Sequence, residues 1–547
     1  MLCSFVSKVL NNQYTYNLVV LLLIGILIFI TGKRQKQKIN TPIYWLIFII
    51  LFFLIRSYDF FQLWTLNQDE EQWIICARSM AHEPINWFRY FMVFDYTRFF
   101  TILPLAILSL FTQSTGYIEA RLMQILLTII FLVISQKALA RWFNERTAWS
   151  ATLMFAVFAS MSRNADMIAY NSELFASILF MLFLLQVIRI QQSDKGKYGW
   201  ILAGILLGLM PFAKEQSLLI ALLSGITAFL NLSARKDYKN AFLIIVGGFT
   251  GFLFVFIPVL IINGLEIVIT LFGIGMQYSE QGLMLSPIGE DPKSAIVFLK
   301  SFFLNKEYLP FTALMIMSLL PFYQSFRSAD KKNIMFNSIL LAGFVGALYS
   351  IHKPGNNFFH YSLLNWPFII LLTSFAIHSL PLLKKYYWTG AALVIVSQIH
   401  DLKFRQFYPL NTLAHRQEIP MDIVQQKISE NSKLGDRVLI WGWSNKYYVL
   451  PERERGGGFL YPQFAVGNYK GKEVVLDIYA RDFTVLMPTL ILEIIGESEV
   501  LLKDYEKESI KASSSKLADL MDKNYKLIFN VENVKIYKKK SDSSAFD

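Results

Sequence analysis

The 547-residue chain is 54% hydrophobic and only 17% charged, with a formal net charge of +12 and a mean hydropathy of +0.41. Soluble domains carry roughly 25% charged residues, so an ordinary soluble protein is excluded and a polytopic membrane protein is indicated. The basic excess sits in short patches between apolar runs, which reads as topology rather than nucleic-acid binding. The two cysteines, Cys3 and Cys76, show no metal-ligand spacing; a disulfide on the outer side and two unpaired thiols both stay open.

Taken in chain order, apolar runs near the ~20 residues that a bilayer core requires predict twelve spans. They fall at about 17–32, 42–56, 118–136, 148–162, 168–188, 200–213, 216–232, 241–262, 310–323, 336–350, 362–381 and 386–400. The first lacks a short apolar core followed by a small-residue cleavage site, so it is expected to be a retained span. Between the runs lie basic patches: "KRQKQK" (33–38), the 137–146 loop, "RIQQSDKGK" (189–197), "ARKDYK" (234–239), "FRSADKK" (326–332) and "LKKYY" (383–387). The positive-inside rule places them all on the cytoplasmic side. A further apolar run at 100–113 would break that pattern if it crossed, so it is expected to be interfacial or re-entrant. The outer loops are then 57–117, 264–309 and 351–361, together with everything after about residue 401.

From about 401 onward the chain changes character, mixing strand-like and helical patterns with many charges. A soluble α/β domain is expected over 401–547, with a hairpin in "YKLIFNVENVKIYKK". "RERGGG" (453–458) lacks the strand-then-helix context of a phosphate loop and reads as a flexible turn. The tail "KKKSDSSAFD" has the composition of a disordered segment.

The densest acid cluster, "NQDEEQW" (67–73), opens the first outer loop. Two readings stand for Asp69, Glu70 and Glu71. They are the acidic start of a solvated helix, or they supply a general base or a metal contact for chemistry at the membrane surface. The stretch that follows, 70–94, has the amphipathic look of a helix lying on the membrane. Lys214 in "GLMPFAKEQ" ends an apolar run on the outer side, against the positive-inside trend, and Glu173 in "AYNSELF" opens a span on that same face. Either could be snorkelling to the interface. Arg98 in "DYTRFF" is another outer-face cation. Such cations beside apolar grooves suit a lipid-linked phosphate, which must be paired where water is scarce. His360 and Tyr361 in "NNFFHYSLLNWP" sit at another outer boundary and read as aromatic-belt residues, with a supporting role in the site as the alternative.

In this order the motifs resemble those of the GT-C superfamily, nearest to glycosyltransferase family 39, the protein O-mannosyltransferases and the bacterial aminoarabinose transferases. "NQDEEQWIICARSM" resembles the family's Asp-Glu motif and juxtamembrane helix. "TRFFTILPLAIL", "ARLMQILL" and "ALARWFNERTAWSATL" follow, then "YNSELFASILFMLFLL", "GWILAGILLGLMPFAKEQSLLIALL", "HYSLLNWPFIILL" and "DRVLIWGWSNKYYVL". The likeness covers nearly everything after residue 42. It departs from the pattern in an extra first span, in Arg98 and Pro104 where the family has a Lys-Pro-Pro or His-Pro-Pro step, and in Ala213 where a Thr precedes the family's Lys. The loop 264–309 is also too short for the sugar-binding domain that eukaryotic members carry.

The resemblance implies a mainly α fold of GT-C type with about twelve transmembrane helices, a transmembrane domain over 1–400 and an exported domain over 401–547. It implies an enzyme that moves a sugar from a polyprenyl-phosphate donor to a lipid, glycan or protein acceptor on the extracytoplasmic face of a bacterial inner membrane. Asp69 is then the general base or a metal contact and Glu70 its partner, with Glu71 merely solvated. Lys214 and Arg98 bind the donor phosphate. Glu173 supports the acceptor or, with Asp69, a divalent metal, the one cofactor that some members use and others do not; His360 and Tyr361 support the site. The competing class is a transporter or flippase of an amphipathic substrate, which would need intramembrane charges or broken helices in paired halves. No nucleic-acid partner is expected.

Overall fold

The computed structural model describes residues 13–36, 41–56, 67–84, 98–112, 115–162, 164–192, 198–281, 300, 302–305, 307–327, 330–353, 359–380, 383, 385–386, 388–403, 422–496 and 502–540. The principal helices are α1 (Gln13–Lys36), α2 (Thr41–Arg56), α3 (Gln68–His82), α4 (Phe99–Thr112), α5 (Tyr117–Trp142), α6 (Glu145–Met161), α7 (Ser172–Gln192), α8 (Gly199–Leu209) and α9 (Ser217–Ala234). They continue with α10 (Tyr238–Asn263), α11 (Leu265–Gln281), α12 (Leu309–Arg327), α13 (Lys331–His352), α14 (Trp366–Ser379), α15 (Thr389–Lys403), α16 (Ile423–Asn431), α17 (Lys472–Val485) and α18 (Ser515–Asn524). Strands β1 (Arg437–Trp441), β2 (Glu454–Arg455), β3 (Leu490–Ile494), β4 (Tyr525–Val531) and β5 (Val534–Lys539) form one sheet.

Each of the expected spans falls on helix. Among the described residues seven helical stretches are long and apolar enough to cross a membrane: α5, α7, α9, α10, α12, α13 and Phe359–Ser379. The runs at 17–32, 42–56, 200–213 and 386–400 lie on shorter apolar helices, and 148–162 lies on α6. This is a multi-pass helical membrane protein. The ambiguous run 100–113 is α4, 14 residues long; at 1.5 Å per residue it reaches about 21 Å, short of a ~30 Å hydrocarbon core.

Contacts divide the chain into two compact units, one drawn from 1–65, 121–254 and 288–417, the other from 66–120, 255–287 and 418–547. In the first unit α6 is buried from Thr147 to Met161, which explains why its small residues need no amphipathic pattern. It packs against α1, α2, α14 and α15. Trp149 anchors it in an aromatic cluster, 4.4 Å from the Tyr44 ring and 4.8 Å from Trp45. Arg56, at the end of α2, donates to the carbonyls of Ser162 (3.0 Å) and Met167 (2.7 Å), satisfying acceptors where α6 stops.

Helices α8 and α10 pack backbone to backbone through glycine. A Cβ at Gly204 would strike the Ile244 carbonyl oxygen, and one at Gly247 would strike that of Ile201. Small residues that admit such close approach supply the packing that water-driven burial cannot supply in lipid.

The sheet of the second unit runs β2-β1-β3-β5-β4, with β1 parallel to both β2 and β3, and β5 antiparallel to β3 and β4. The hairpin read from "NVEN" is β4–β5, turning at Glu532 and Asn533 between the paired residues Val531 and Val534. The glycines of "RERGGG" serve close packing. Gly456 donates to Val438 O at 2.7 Å, and a Cβ there would lie 2.7 Å from Pro488 Cβ. Glu493, buried in the middle of β3, accepts from Tyr505 Oη (2.7 Å), Tyr537 Oη (2.9 Å) and Ile510 N (2.8 Å), so its charge is met on all sides.

The stretch 264–309, expected to be an outer loop, begins with α11. Gly264, at φ +81, turns the chain sharply out of α10. Val268, Leu271 and Ile274 recur on one face of α11, and the last two enter the core formed by Trp441, Phe464, Tyr479 and Ile491. A 17-residue helix whose apolar stripe is covered by a domain nearly two hundred residues later looks, in sequence alone, like an apolar loop.

Candidate active site

In the second unit the acid cluster starts α3. Asn67 is the N-cap, its Oδ1 accepting from Asp69 N (2.9 Å) and Glu70 N (3.2 Å). Three carboxylates in the first turn suit the positive end of the helix. Burial then separates them: Asp69 is half-buried, while Glu70 and Glu71 are enclosed, with 0% and 2% exposure.

Two expectations are corrected by this burial. Glu71 is not a solvated acid, since it accepts from Tyr117 Oη at 2.8 Å. Burial pushes its pKa up to about 8, opposed by the Tyr117 hydrogen bond and reinforced by the neighbouring Glu70 charge. Nor is α3, as far as it is described, a helix lying on the membrane, because Glu70 to Ser79 are buried in succession on every face. It is packed by α4, by β2 and by the one-turn helix Lys446–Val449. Arg78 fixes it, donating from Nε to Thr115 O at 2.8 Å. Gln72 Oε1 accepts from Tyr461 Oη at 3.0 Å, and Gln68 Nε2 donates to Trp443 O at 3.2 Å. The Tyr461 phenol is raised well above its ordinary range, chiefly by burial and then by the charge of Asp69.

The Glu71 shift makes a stability prediction. Its folded pKa near 8 exceeds the ordinary 4.5, so the folded state holds a proton that the unfolded chain releases. The associated stability is fully present below pH ~4.5 and is lost as pH rises towards ~8. Glu71→Gln keeps an acceptor for Tyr117 and removes this dependence. The melting temperature of the variant in detergent should therefore exceed the parent's by an increasing margin between pH 5 and pH 9, and a pH-independent difference would refute it.

Arg98 lies in this same unit, its guanidinium 4.8 Å from the centre of the Trp73 ring. That stacking holds a cation without neutralising it.

The first unit gathers the remaining residues. Helix α8 tightens into a 3₁₀ turn at Met210–Phe212, where Pro211 ends the α-helical ladder. The turn delivers Lys214, 5% exposed, to the first turn of α7, where its Nζ lies 2.8 Å from Glu173 Oε1. Ser172 Oγ donates to Glu173 Oε2 at 3.1 Å. The 3₁₀ segment Phe359–Asn365 brings in His360, with Nδ1 3.2 Å from Asp166 Oδ2 and Nε2 4.0 Å from Glu173 Oε1. Tyr361 stands beside it, its ring centre 5.1 Å from Lys214 Nζ.

The aromatic-belt reading therefore fails for His360, which is 3% exposed and bridged between two carboxylates. Lys214, Glu173, His360 and Tyr361, widely spaced in sequence, are brought into one cluster; Asp69, Glu70 and Arg98 belong to the other unit. Asp166 went unnoticed in the sequence because nothing local marks it. Tyr117 and Tyr461, which hold Glu71 and Gln72 of α3, also carry no motif.

Among the described residues no group of three or more His, Cys, Asp or Glu side chains is placed to hold a metal ion, and the Lys214 ammonium already occupies Glu173 Oε1. Cys76 is a buried thiol that accepts from Arg455 Nη1 at 3.6 Å; Cys3 lies outside the described residues.

The helical membrane body with its small mixed sheet is a fold shared with solved structures of low sequence identity. The particular likeness is to ArnT from Cupriavidus metallidurans. Its crystal structure bound to undecaprenyl phosphate is 12% identical over 89% of this chain and 97% of that one, with a TM-score of 0.55. Its apo structure is 11% identical over the same shares, with a TM-score of 0.53. The oligosaccharyltransferase of Archaeoglobus fulgidus, in complex with Zn and sulfate, is 11% identical over 89% and 73% of the two chains, with a TM-score of 0.44. At these identities the likeness is one of fold. The sequence matches no family model and no curated protein.

Proposed function

We propose that the protein is an inverting glycosyltransferase that takes a sugar from a polyprenyl-phosphate donor and transfers it to an acceptor hydroxyl on the extracytoplasmic face of a bacterial inner membrane. The observation that carries this reading is the buried Lys214, held by Glu173, three residues beyond Pro211 on the wall of an apolar groove. The groove, about 480 Å³, runs between α8, α9 and α10, and is lined by Leu207, Pro211, Leu222, Phe229, Phe249 and Phe252. An isoprenoid chain suits such a groove, and its phosphate suits the nearby Lys214 cation. ArnT, which shares the fold, was crystallised with undecaprenyl phosphate.

In this reading the acceptor oxygen attacks the anomeric carbon on the face opposite the phosphate. Its proton passes to Asp69, the new glycosidic bond forms as the carbon–phosphate oxygen bond breaks, and polyprenyl phosphate leaves. Lys214 and Arg98 stabilise the charge that grows on that phosphate. Glu173 keeps Lys214 oriented, while His360 and Tyr361 complete its surroundings. No step is assigned to a metal ion.

The test is transfer of radiolabelled sugar from polyprenyl phosphate into envelope fractions, in membranes with and without this chain. Chain-dependent labelling of a lipid, glycan or protein fraction supports the reading and names the acceptor class. Labelling that is the same in both membranes sinks it. A reporter fused after residue 400 should read as exported; a cytoplasmic signal would reverse the assigned face.

A further inference from the structure

A second cavity lies in the first unit, in a region that the transferase reading leaves without a role. It measures about 350 Å³ and sits where α5, α7, α12 and α14 end and α13 begins. These helix ends carry Arg141, Arg189, Arg327, Lys331 and Lys332, the basic loops that topology assigns to the cytoplasmic headgroup layer. Its walls include Trp142, Phe143, Phe375, Gln191, Asp330 and Lys332.

These groups divide by burial. Gln191 is 8% and Phe375 4% exposed, whereas Asp330 and Lys332 lie in the open. Gln191 Oε1 is buried and accepts no hydrogen bond from the described residues, although its Nε2 reaches Lys332 O at 3.5 Å. An unpaired buried carbonyl costs free energy until a donor arrives. The aromatic faces around it are fixed: Trp142 stacks on Phe336 at 3.9 Å, and Phe143 meets Phe375 edge-on at 4.9 Å. An acceptor oxygen among aromatic rings favours a cation that carries N–H donors. At the mouth, Lys332 offers an ammonium for an anion.

We propose that this cavity binds a phospholipid whose headgroup carries a primary ammonium and a phosphate. The ammonium enters to donate to Gln191 Oε1 against the aromatic walls, the phosphate stays at the mouth on Lys332, and the acyl chains leave into the bilayer. The site is independent of donor and acceptor, so its failure leaves the transferase reading untouched.

The experiment is native mass spectrometry of the full chain in detergent with equimolar phosphatidylethanolamine, phosphatidylcholine and phosphatidylglycerol. Phosphatidylethanolamine should be retained preferentially, because the trimethylated headgroup has no N–H to donate and the glycerol headgroup has no cation. Gln191→Leu should lower that retention about tenfold, the scale of one hydrogen bond to a charged group, without lowering phosphatidylglycerol binding, whereas the mouth variant Lys332→Ala should weaken all three lipids together because each carries the phosphate. Equal retention of the three lipids, or unchanged selectivity in Gln191→Leu, overturns the proposal. Displacement by free phosphoethanolamine in a protein that shows no lipid selectivity would reassign the cavity to a soluble ligand and overturn the lipid assignment.

Discussion

Replacing Asp69 by Asn is expected to lower sugar transfer by about 10²–10⁴-fold, the range that a positioned general base contributes, while leaving the fold in place. The second half of that expectation follows from the local structure. The N-cap bonds that start α3 run from the backbone N–H groups of Asp69 and Glu70 to Asn67 Oδ1, and Asn at position 69 preserves them. The half-buried Asp69 carboxylate also loses its charge interaction with the helix end, about 0.3–1 kcal/mol. Thermal stability should therefore change little while turnover collapses. The contrast is with Glu71→Gln, two residues on, whose effect is read in the pH dependence of melting. Transfer by Asp69→Asn within threefold of the parent would remove Asp69 from the reaction.

That contrast marks where the sequence stops being legible. Helical spans, the β4–β5 hairpin and the outlying Lys214 could be read directly, because each depends on a local period or on one charge set against an apolar run. Glu71 could not. Its neighbours Asp69 and Glu70 have the same chemistry, and what separates the three is burial by α4, by Tyr117 and by a C-terminal segment some 370 residues away. The same distance hid α11, whose buried face is covered by residues around Trp441 and Tyr479. His360 looked like an interfacial aromatic until Asp166 and Glu173 were found on its two nitrogens. Amphipathic pattern reports that a face will be covered, but long-range packing decides by what.

The Lys214–Glu173 pair offers the sharpest separation of architecture from chemistry. Both side chains are nearly inaccessible, with 6% and 1% exposure, and their charges lie 2.8 Å apart. Removing one partner from such a pair leaves a buried uncompensated charge and costs about 3–5 kcal/mol. Lys214→Met and Glu173→Gln should therefore each lower the melting temperature substantially. The double variant removes both charges, so its stability should exceed that of either single variant, since no uncompensated buried charge is left. Activity should follow a different order. Glu173→Gln keeps the ammonium and should still transfer sugar with an altered apparent donor KM, whereas Lys214→Met and the double variant should both be nearly inactive, because each leaves the phosphate with Arg98 alone. A purely architectural pair would instead give a double variant whose transfer recovers along with its stability. Measuring melting and donor dependence on the same four proteins decides between the two, and recovered transfer in the double variant would remove Lys214 from the donor site.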